Sequence, residues 1–439
     1  MKHLPFRSPT ILLLGALGLL LAGCLPRPPT QTGVAPSARR PSAPAAAATP
    51  TTISWSFWGD PWELEVNRRV ASAFEAENPS IKLELLHQPW DSYFLWLEER
   101  QRAGALPDVM FFSNVRGAAS TGQFEPLDAY IRRDNFDLSD FYPRLLGLFN
   151  YQGSYYGLPR DNDTKVIYYN RTLFAEAGLN PPQSGWTWTD LRNLATRLTR
   201  RDAFGRTEQY GFAFEANTWW RTWVWQNGGD ILDDPFNPTR VRLGEPAAID
   251  ALQFLADLVN ADRSTPPPEV LLSSDRITQL FREGRLAMAF GNHTRVPVLA
   301  NEPGLKWDVV GLPTRRERAN LAGGAGYAIS ASSKQKEAAW ALVRFLEGPK
   351  GQALFAESGL VVPARRSIRE DNIFLRQQPY NARVFGEESE VGRPNLNIPQ
   401  ASDIDRLTEA ALAPVWLGDR SAAAAVDELV PSLRFLVER

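Results

Sequence analysis

Hydrophobic and polar positions alternate with two different periods along the chain, and the switches between the two mark out its elements. Over residues 53–57 small or polar side chains alternate with apolar ones, the period of a strand, and Trp58-Gly59 turns the chain. Asp60-Pro61-Trp62-Glu63 then supplies a cap, a proline at the first helical position and an acid in the first turn. Trp62, Val66, Val70 and Phe74 recur at helical spacing and are predicted to face a sheet, until Asn78-Pro79 stops the helix. Residues 81–86 read as a second strand, 91–103 as a second helix closed by Gly104, and 109–112 as a third strand. Farther along, helices are expected at 247–260 with Ile249, Leu252, Leu255 and Val259 inward, at 275–283, and at 336–346 through Ala339, Leu342, Val343 and Leu346. Strands are expected at 286–290 and 327–329, and the tail to Arg439 reads as helical. Strands alternating with helices of this length imply an α/β fold with a parallel sheet and helices packed on it.

Ligands of such sheets bind just beyond the carboxyl ends of the strands. That rule selects Trp58 and Asp60 after the first strand, Trp90 and Asp91 after the second, and Ser113, Asn114 and Arg116 after the third. Bland roles exist for some of them. Asp60 and Asp91 stand where helix caps are expected, and Trp58 fits a core equally well. Arg116 reads as a rim residue.

One stretch interrupts the pattern. Between the turn-forming Tyr155-Tyr156-Gly157-Leu158-Pro159 and the strand-like Val166-Ile167-Tyr168-Tyr169-Asn170 lies a polar knot, Arg160-Asp161-Asn162-Asp163-Thr164-Lys165. It reads as an exposed crossover between two lobes, its charges satisfied by water or by a polar ligand. Asp161, Asn162 and Asp163 are the ligand candidates there.

A second unusual stretch holds four tryptophans within residues 219–225. Trp219 and Trp223 stand a helical turn apart on one face, Trp220 on another, so they do not all fit one wall of a core. Indole rings offer flat apolar faces with an N–H at the edge, a shape that suits the C–H faces of pyranose rings. Trp220 is the first choice for such a contact, with Trp219 and Trp223 beside it.

The amino terminus bears on compartment. Lys2 and Arg7 precede an apolar run over residues 11–22 that is about twelve residues long, too short to span a bilayer and suited to a signal peptide. It ends Leu21-Ala22-Gly23-Cys24, which resembles the bacterial lipobox, whose cysteine becomes lipid-modified at the new amino terminus. Cys24 is the only cysteine, so the chain can form no internal disulfide, thiolate metal cluster or cysteine active site. Residues 25–50, rich in Pro, Ala, Thr and Ser, read as a disordered tether. The remaining body, roughly 390 residues, fits two lobes. A net charge of −2 gives no general attraction to nucleic acid. Beyond the leader only His87 and His293 remain, with no H-E-x-x-H, no G-x-S-x-G and no phosphate-binding G-x-x-x-x-G-K-[ST], so zincin, hydrolase and NTPase chemistry lack their parts. A glycosidase needs only two carboxylates, and Asp161 and Asp163 with Asp60 or Asp91 would supply them.

A series of segments follows in fixed order: Phe74-Glu75-Ala76-Glu77-Asn78-Pro79-Ser80-Ile81; Ala103-Gly104-Ala105-Leu106-Pro107-Asp108-Val109; Gly122-Gln123-Phe124-Glu125-Pro126-Leu127-Asp128; Gly157-Leu158-Pro159 with Tyr168-Tyr169-Asn170-Arg171-Thr172-Leu173-Phe174; Trp188-Thr189-Asp190-Leu191; Phe281-Arg282-Glu283-Gly284-Arg285-Leu286-Ala287-Met288; and Ala322-Gly323-Gly324 with Tyr327-Ala328-Ile329-Ser330. The ordered series resembles the extracellular solute-binding proteins of bacterial ABC importers, specifically the group that binds sugars and oligosaccharides such as maltose. The resemblance implies a two-lobed periplasmic-binding-protein (Venus flytrap) fold, each lobe a mixed sheet flanked by helices, joined by three hinge crossovers. It implies a leader at 1–23, a tether at 24–50, a first lobe from 51–162 and 313–358, and a second from 163–312 and 359–439. Gly311-Leu312-Pro313 would begin the second crossover and residues 359–363 make the third. The family commonly places a glycine and then a cleft tryptophan where this chain has Gly291-Asn292-His293-Thr294-Arg295, so Asn292 and His293 become site candidates in place of the aromatic. Amides of Gly323 and Gly324 are expected at the ligand, a plain turn before the strand at 327–329 being the bland reading, and residues 395–405 are expected to form a loop that brings Asp403 near the cleft. The resemblance also implies a noncatalytic, monomeric receptor without cofactor or metal, anchored through lipid on Cys24, with a sugar ligand and an ABC permease as partners and no nucleic acid. Another small polar solute, such as a glycerol phosphate, nucleoside or polyamine, is the alternative; a phosphate would call on Arg116, Arg160 and Arg295.

Overall fold

The computed structural model describes residues 49–59, 61–113, 115–370 and 381–438. Cys24, Asp60 and Asn114 lie outside the described residues. Two five-stranded mixed sheets organise the body. In chain order the strands are β1 (Thr51–Trp58), β2 (Ile81–Gln88), β3 (Val109–Phe112), β4 (Asn150–Tyr151), β5 (Ser154–Tyr155), β6 (Leu158–Pro159), β7 (Val166–Asn170), β8 (Arg200–Arg201), β9 (Thr207–Ala213), β10 (Leu286–Gly291), β11 (Trp307–Val310), β12 (Asn320–Ala322), β13 (Gly326–Ile329) and β14 (Gly392–Pro394). The first sheet runs β2-β1-β3-β13-β6 and the second β11-β7-β10-β9-β8. β1 pairs in parallel with β2 and β3, and β13 returns antiparallel to β3. In the second sheet β7 is antiparallel to both β10 and β11, while β9 and β10 are parallel. The parallel sheet expected from periodicity is therefore mixed: β13 runs against the other strands of the first sheet, and β7 and β8 run against the other three of the second.

Each sheet has its own core. Ile53, Trp55, Phe57, Phe111, Leu158, Tyr327 and Trp340 belong to the first, and Tyr168, Phe212, Trp223, Leu255, Met288, Val309 and Trp416 to the second. The helix Lys336–Leu346 has Ala339, Leu342, Val343 and Leu346 fully buried, as its spacing predicts. The helix Trp188–Leu198 starts with a capping box in which Thr187 and Asp190 satisfy each other's backbone amides. In the helix Pro61–Glu77, Val66, Val70 and Phe74 are buried but Trp62 is 49% exposed. The expected stripe shifts at its first turn because Glu63 and Asn67 take the inward places, Glu63 to meet Arg160. No helix among the described residues is long and apolar enough to cross a membrane.

The chain passes between the sheets at three places. β6 to β7 is the first passage and β11 to β13 the second. In the third, Val361 and Ala364 join the first core while Val362 joins the second. Isolated bridges hold the passages side by side: Asp163 to Gly323 and Asp161 to Pro363.

Candidate functional site

The carboxyl ends of β1, β2 and β3 and the start of β13 share one edge of the first sheet, since Trp58 pairs with Gln88 and Phe112 with Gly326. In the second sheet the ends of β9, β10 and β11 lie with the start of β7, because Gly291 pairs with Val166 and Val310 with Ile167. The segment 160–165 leads directly from the first sheet's β6 to the start of β7 at that second edge. The segment thus joins the two sets of strand ends at which ligands of such sheets bind.

The polar knot is not exposed. Arg160, Asn162, Thr164 and Lys165 are buried, and each bonds to protein groups. Arg160 Nη1 donates to Glu63 at 2.7 Å, and its Nε and Nη2 donate to Asp161 Oδ2 at 3.0 and 2.8 Å. Its guanidinium also lies 3.9 Å from the Phe111 ring centroid. Burial opposes the Arg160 charge, but the Glu63 carboxylate raises its pKa above the ordinary value. Burial likewise pushes the Asp161 carboxyl up, against the pull of Arg160. Asp161 Oδ1 accepts from Ala325 N at 2.7 Å, so this carboxylate ties the first passage to the second. Asn162 is held by Val362 O through its amide and by Ser389 Oγ through its side chain. Those bonds tie Asn162, which is buried, to the third passage and to Ser389.

Lys165 is fully buried and its Nζ donates to Asp163 Oδ2 at 2.8 Å while standing 3.4 Å from the Trp219 ring centroid. Burial lowers its pKa. The Asp163 side chain stays 32% exposed and Trp219 is partly exposed, so an acid and an indole meet around one buried ammonium. Trp219 is aimed by Asn217, whose Oδ1 accepts from its amide and whose Nδ2 donates to Glu215. Glu215 in turn pairs with Arg295 at 2.5 Å, both side chains buried.

The other tryptophans fall elsewhere. Trp220 is 0% exposed and Trp223 1%, both inside the second core, Trp223 against Trp188, Phe212, Phe254 and Phe290. The expectation that Trp220 faces a ligand is corrected: it lies in the core, and Trp219 is the partly exposed ring of the stretch. The stretch is not one helix but a 3-10 turn, Thr218–Trp220, followed by the helix Arg221–Gln226, so a single helical wheel misplaces the rings.

His293 is also corrected. Its ring is buried edge-on against Phe385 at 4.9 Å, and loss of hydration lowers its pKa to about 4, which leaves a neutral imidazole in the wall. Asn292 stays partly exposed, its carbonyl accepting from Tyr168 Oη at 2.6 Å. Trp58 is half-buried and packs 4.2 Å from Phe111. Asp91 lies in the first turn of the helix Trp90–Arg102. At Gly323 the amide donates to Asp163 O, and a Cβ at Gly324 would stand 2.4 Å from Asp161 O. These glycines therefore serve close passage of two backbone segments. Asp403 lies in the helix Ala401–Leu417, is well exposed and pairs with Arg406. A groove of ≈ 460 Å³ opens between Phe94, Phe112 and Ser113 on one side and Ile398, Pro399 and Ser402 on the other. Arg116 does not point into a void; it reaches Phe236 O at 2.9 Å.

Sequence reasoning missed Glu63, Lys165 and Glu215 as organisers of the site. Only Lys165 carried a signal, its place in the polar knot, and the partners of the other two are far away in the chain.

Residues 60–353, more than half the chain, match the family of bacterial extracellular solute-binding proteins. A binding protein of Brucella abortus (strain 2308) is 27% identical over 416 residues, covering 89% of this chain and 94% of its own. The galactooligosaccharide-binding protein of Bacillus subtilis (strain 168) is 23% identical over 377 residues, 84% of this chain and 86% of that one. Among solved structures, an ABC substrate-binding protein from Listeria monocytogenes in complex with cycloalternan matches with a TM-score of 0.80 at 24% identity, over 88% of this chain and 99% of the other. That likeness shows the two-lobed fold that the paired sheets describe. With its family match running from the first helix to the helix Pro349–Glu357, the chain belongs to the bacterial extracellular solute-binding proteins.

Proposed function

We propose that this protein is a lipid-anchored receptor on the outer face of the cytoplasmic membrane that closes on a sugar or oligosaccharide and hands it to an ABC permease. Its lobes are residues 51–162 with 313–358, and 163–312 with 359–439. The observation that carries the sugar reading is the half-open Asp163 carboxylate beside the partly exposed Trp219 ring at the cleft floor. A carboxylate accepts hydroxyl protons while an indole covers an apolar C–H face, the two needs of a pyranose. The binding of galactooligosaccharide and cycloalternan by similar proteins supports the same class of solute. Asn292, Trp58 and Asp161 complete the proposed lining, with Asp60, Asp91 and Asn114 as further candidates on the first lip. A phosphate ester is disfavoured because the three arginines it would need are engaged: Arg116 by Phe236 O, Arg160 by Glu63 and Asp161, Arg295 by Glu215.

Thermal-shift screening against mono- and oligosaccharides tests the class. A shift with a glycerol phosphodiester and with no sugar hands the site to the alternative. Calorimetry on Trp219→Ala tests the residue: we expect a loss of about 2 kcal/mol in binding, and an unchanged affinity removes Trp219 from the site. Metabolic labelling with palmitate tests the anchor, since Cys24→Ala that still takes up lipid refutes it.

A further inference from the structure

Arg116 lies in the helix Val115–Ser120, whose Val115 and Ala118 pack in the first core. Its guanidinium nevertheless ends on the second lobe. Nη1 donates to Phe236 O at 2.9 Å and to Asn397 O at 3.4 Å, and the group stands 4.7 Å from the Phe236 ring centroid. The first lobe's Tyr151 ring lies 5.7 Å away. Asn397 is flanked by Leu396 and Ile398, both members of the second core. The two acceptors form one surface, because Asn397 N donates to Pro235 O at 2.9 Å.

The loop that offers Phe236 is rigid by construction. Asp233 Oδ1 accepts from the amides of Asp234, Thr239 and Arg240, and Asp234 Oδ1 from those of Phe236 and Asn237. A planar, always-charged fork meeting fixed carbonyls and a ring loses little freedom on docking. One residue beyond Asn397, Ile398 and Pro399 close the groove against Phe94 and Phe112.

We propose that Arg116 is a positioning residue of solute binding, an interlobe latch that ties the first lobe to the loop 233–240 and to Asn397 and biases the hinge toward the closed form before any solute adds contacts. Solute binds the closed form better, so a larger closed population raises apparent affinity by the same factor. Because the latch touches protein on both sides, it scales affinity for every solute alike and leaves selectivity unchanged. The inference rests on the cleft being the solute site and not on the solute being a sugar.

Small-angle scattering and amide hydrogen exchange on the solute-free protein test it without any ligand. We expect Arg116→Met to enlarge the radius of gyration and to speed exchange at the Asn397 amide about tenfold. Phe236→Ala, which removes the ring beneath the guanidinium and leaves the carbonyls, should move both readouts the same way by less. Circular dichroism verifies folding; if Arg116→Met does not fold, Phe236→Ala decides. Scattering and exchange indistinguishable from the parent in the folded variants would overturn the latch whatever the solute proves to be.

Discussion

Arg160 and Arg295 occupy the same kind of place, buried beside a carboxylate near strand ends, yet they join different things. Arg295 stays within one lobe: it bonds Glu215, Phe290 O, Thr278 and Ser274, all belonging to the second sheet and its surroundings. Arg160 sits in the passage between lobes. Its carboxylate partner Asp161 also holds Ala325 of the second passage, and its own carbonyl accepts from Ala364 of the third. Charge is scaffold on one side of the cleft and hinge on the other. Cutting the two pairs should therefore separate stability from motion.

The largest effect is expected from Arg295→Met. Glu215, only 2% exposed, loses its counter-ion and stays buried, a defect worth about 3–5 kcal/mol. Urea unfolding should show it as a lower midpoint, while solute-free scattering stays the same. Adding Glu215→Met should recover much of the loss, since the cost lies in the orphaned charge. Arg160→Met should cost somewhat less, about 3 kcal/mol, because the two carboxylates it orphans, Glu63 and Asp161, have side chains 11% and 16% exposed and rehydrate more readily than Glu215. It should also change the scattering profile, which Arg295→Met does not. Equal scattering from both variants would refute the division between scaffold and hinge.

His293, buried against Phe385, adds a pH dependence of its own. Its folded pKa of about 4 lies below the ordinary 6.5, so between those values the unfolded chain holds a proton that the folded chain does not. Stability from this group is complete above about pH 6.5, declines as pH falls through the window and levels off below about 4. We expect a decline of about 3 kcal/mol, which His293→Asn should remove. A parent and variant with parallel pH profiles would show that His293 is hydrated in solution.

Much of this was legible in the chain. Strand and helix periods located the first three strands within two residues, and the knot at 160–165 marked a lobe crossing. What was hidden follows from distance and local geometry. Glu63 and Arg160, or Arg116 and Phe236, are partners across long separations, which no local pattern encodes. Trp220 turned inward and Trp219 outward because a 3-10 turn precedes the helix, and rotation per residue differs between the two. Reading the knot as exposed followed from its charge alone, when its charges had paired with one another and with Glu63.

The smallest expected effect probes how the Arg160 pair bends the pattern around it. Periodicity places Trp62 in line with Val66 and Val70, and an inward tryptophan cut to a small residue costs about 3–5 kcal/mol. In the structure that turn gives its inward place to Glu63, because the hinge arginine needs a carboxylate from the first helix, and Trp62 is left 49% exposed. Trp62→Ser should then change the free energy of unfolding in urea by no more than about 0.5 kcal/mol. A loss of several kcal/mol would mean that the helix is turned the other way, with its tryptophan inward and Glu63 withdrawn from Arg160. The hinge charge would then have no support from the first lobe's helix, and the contrast between Arg160 and Arg295 would vanish with it.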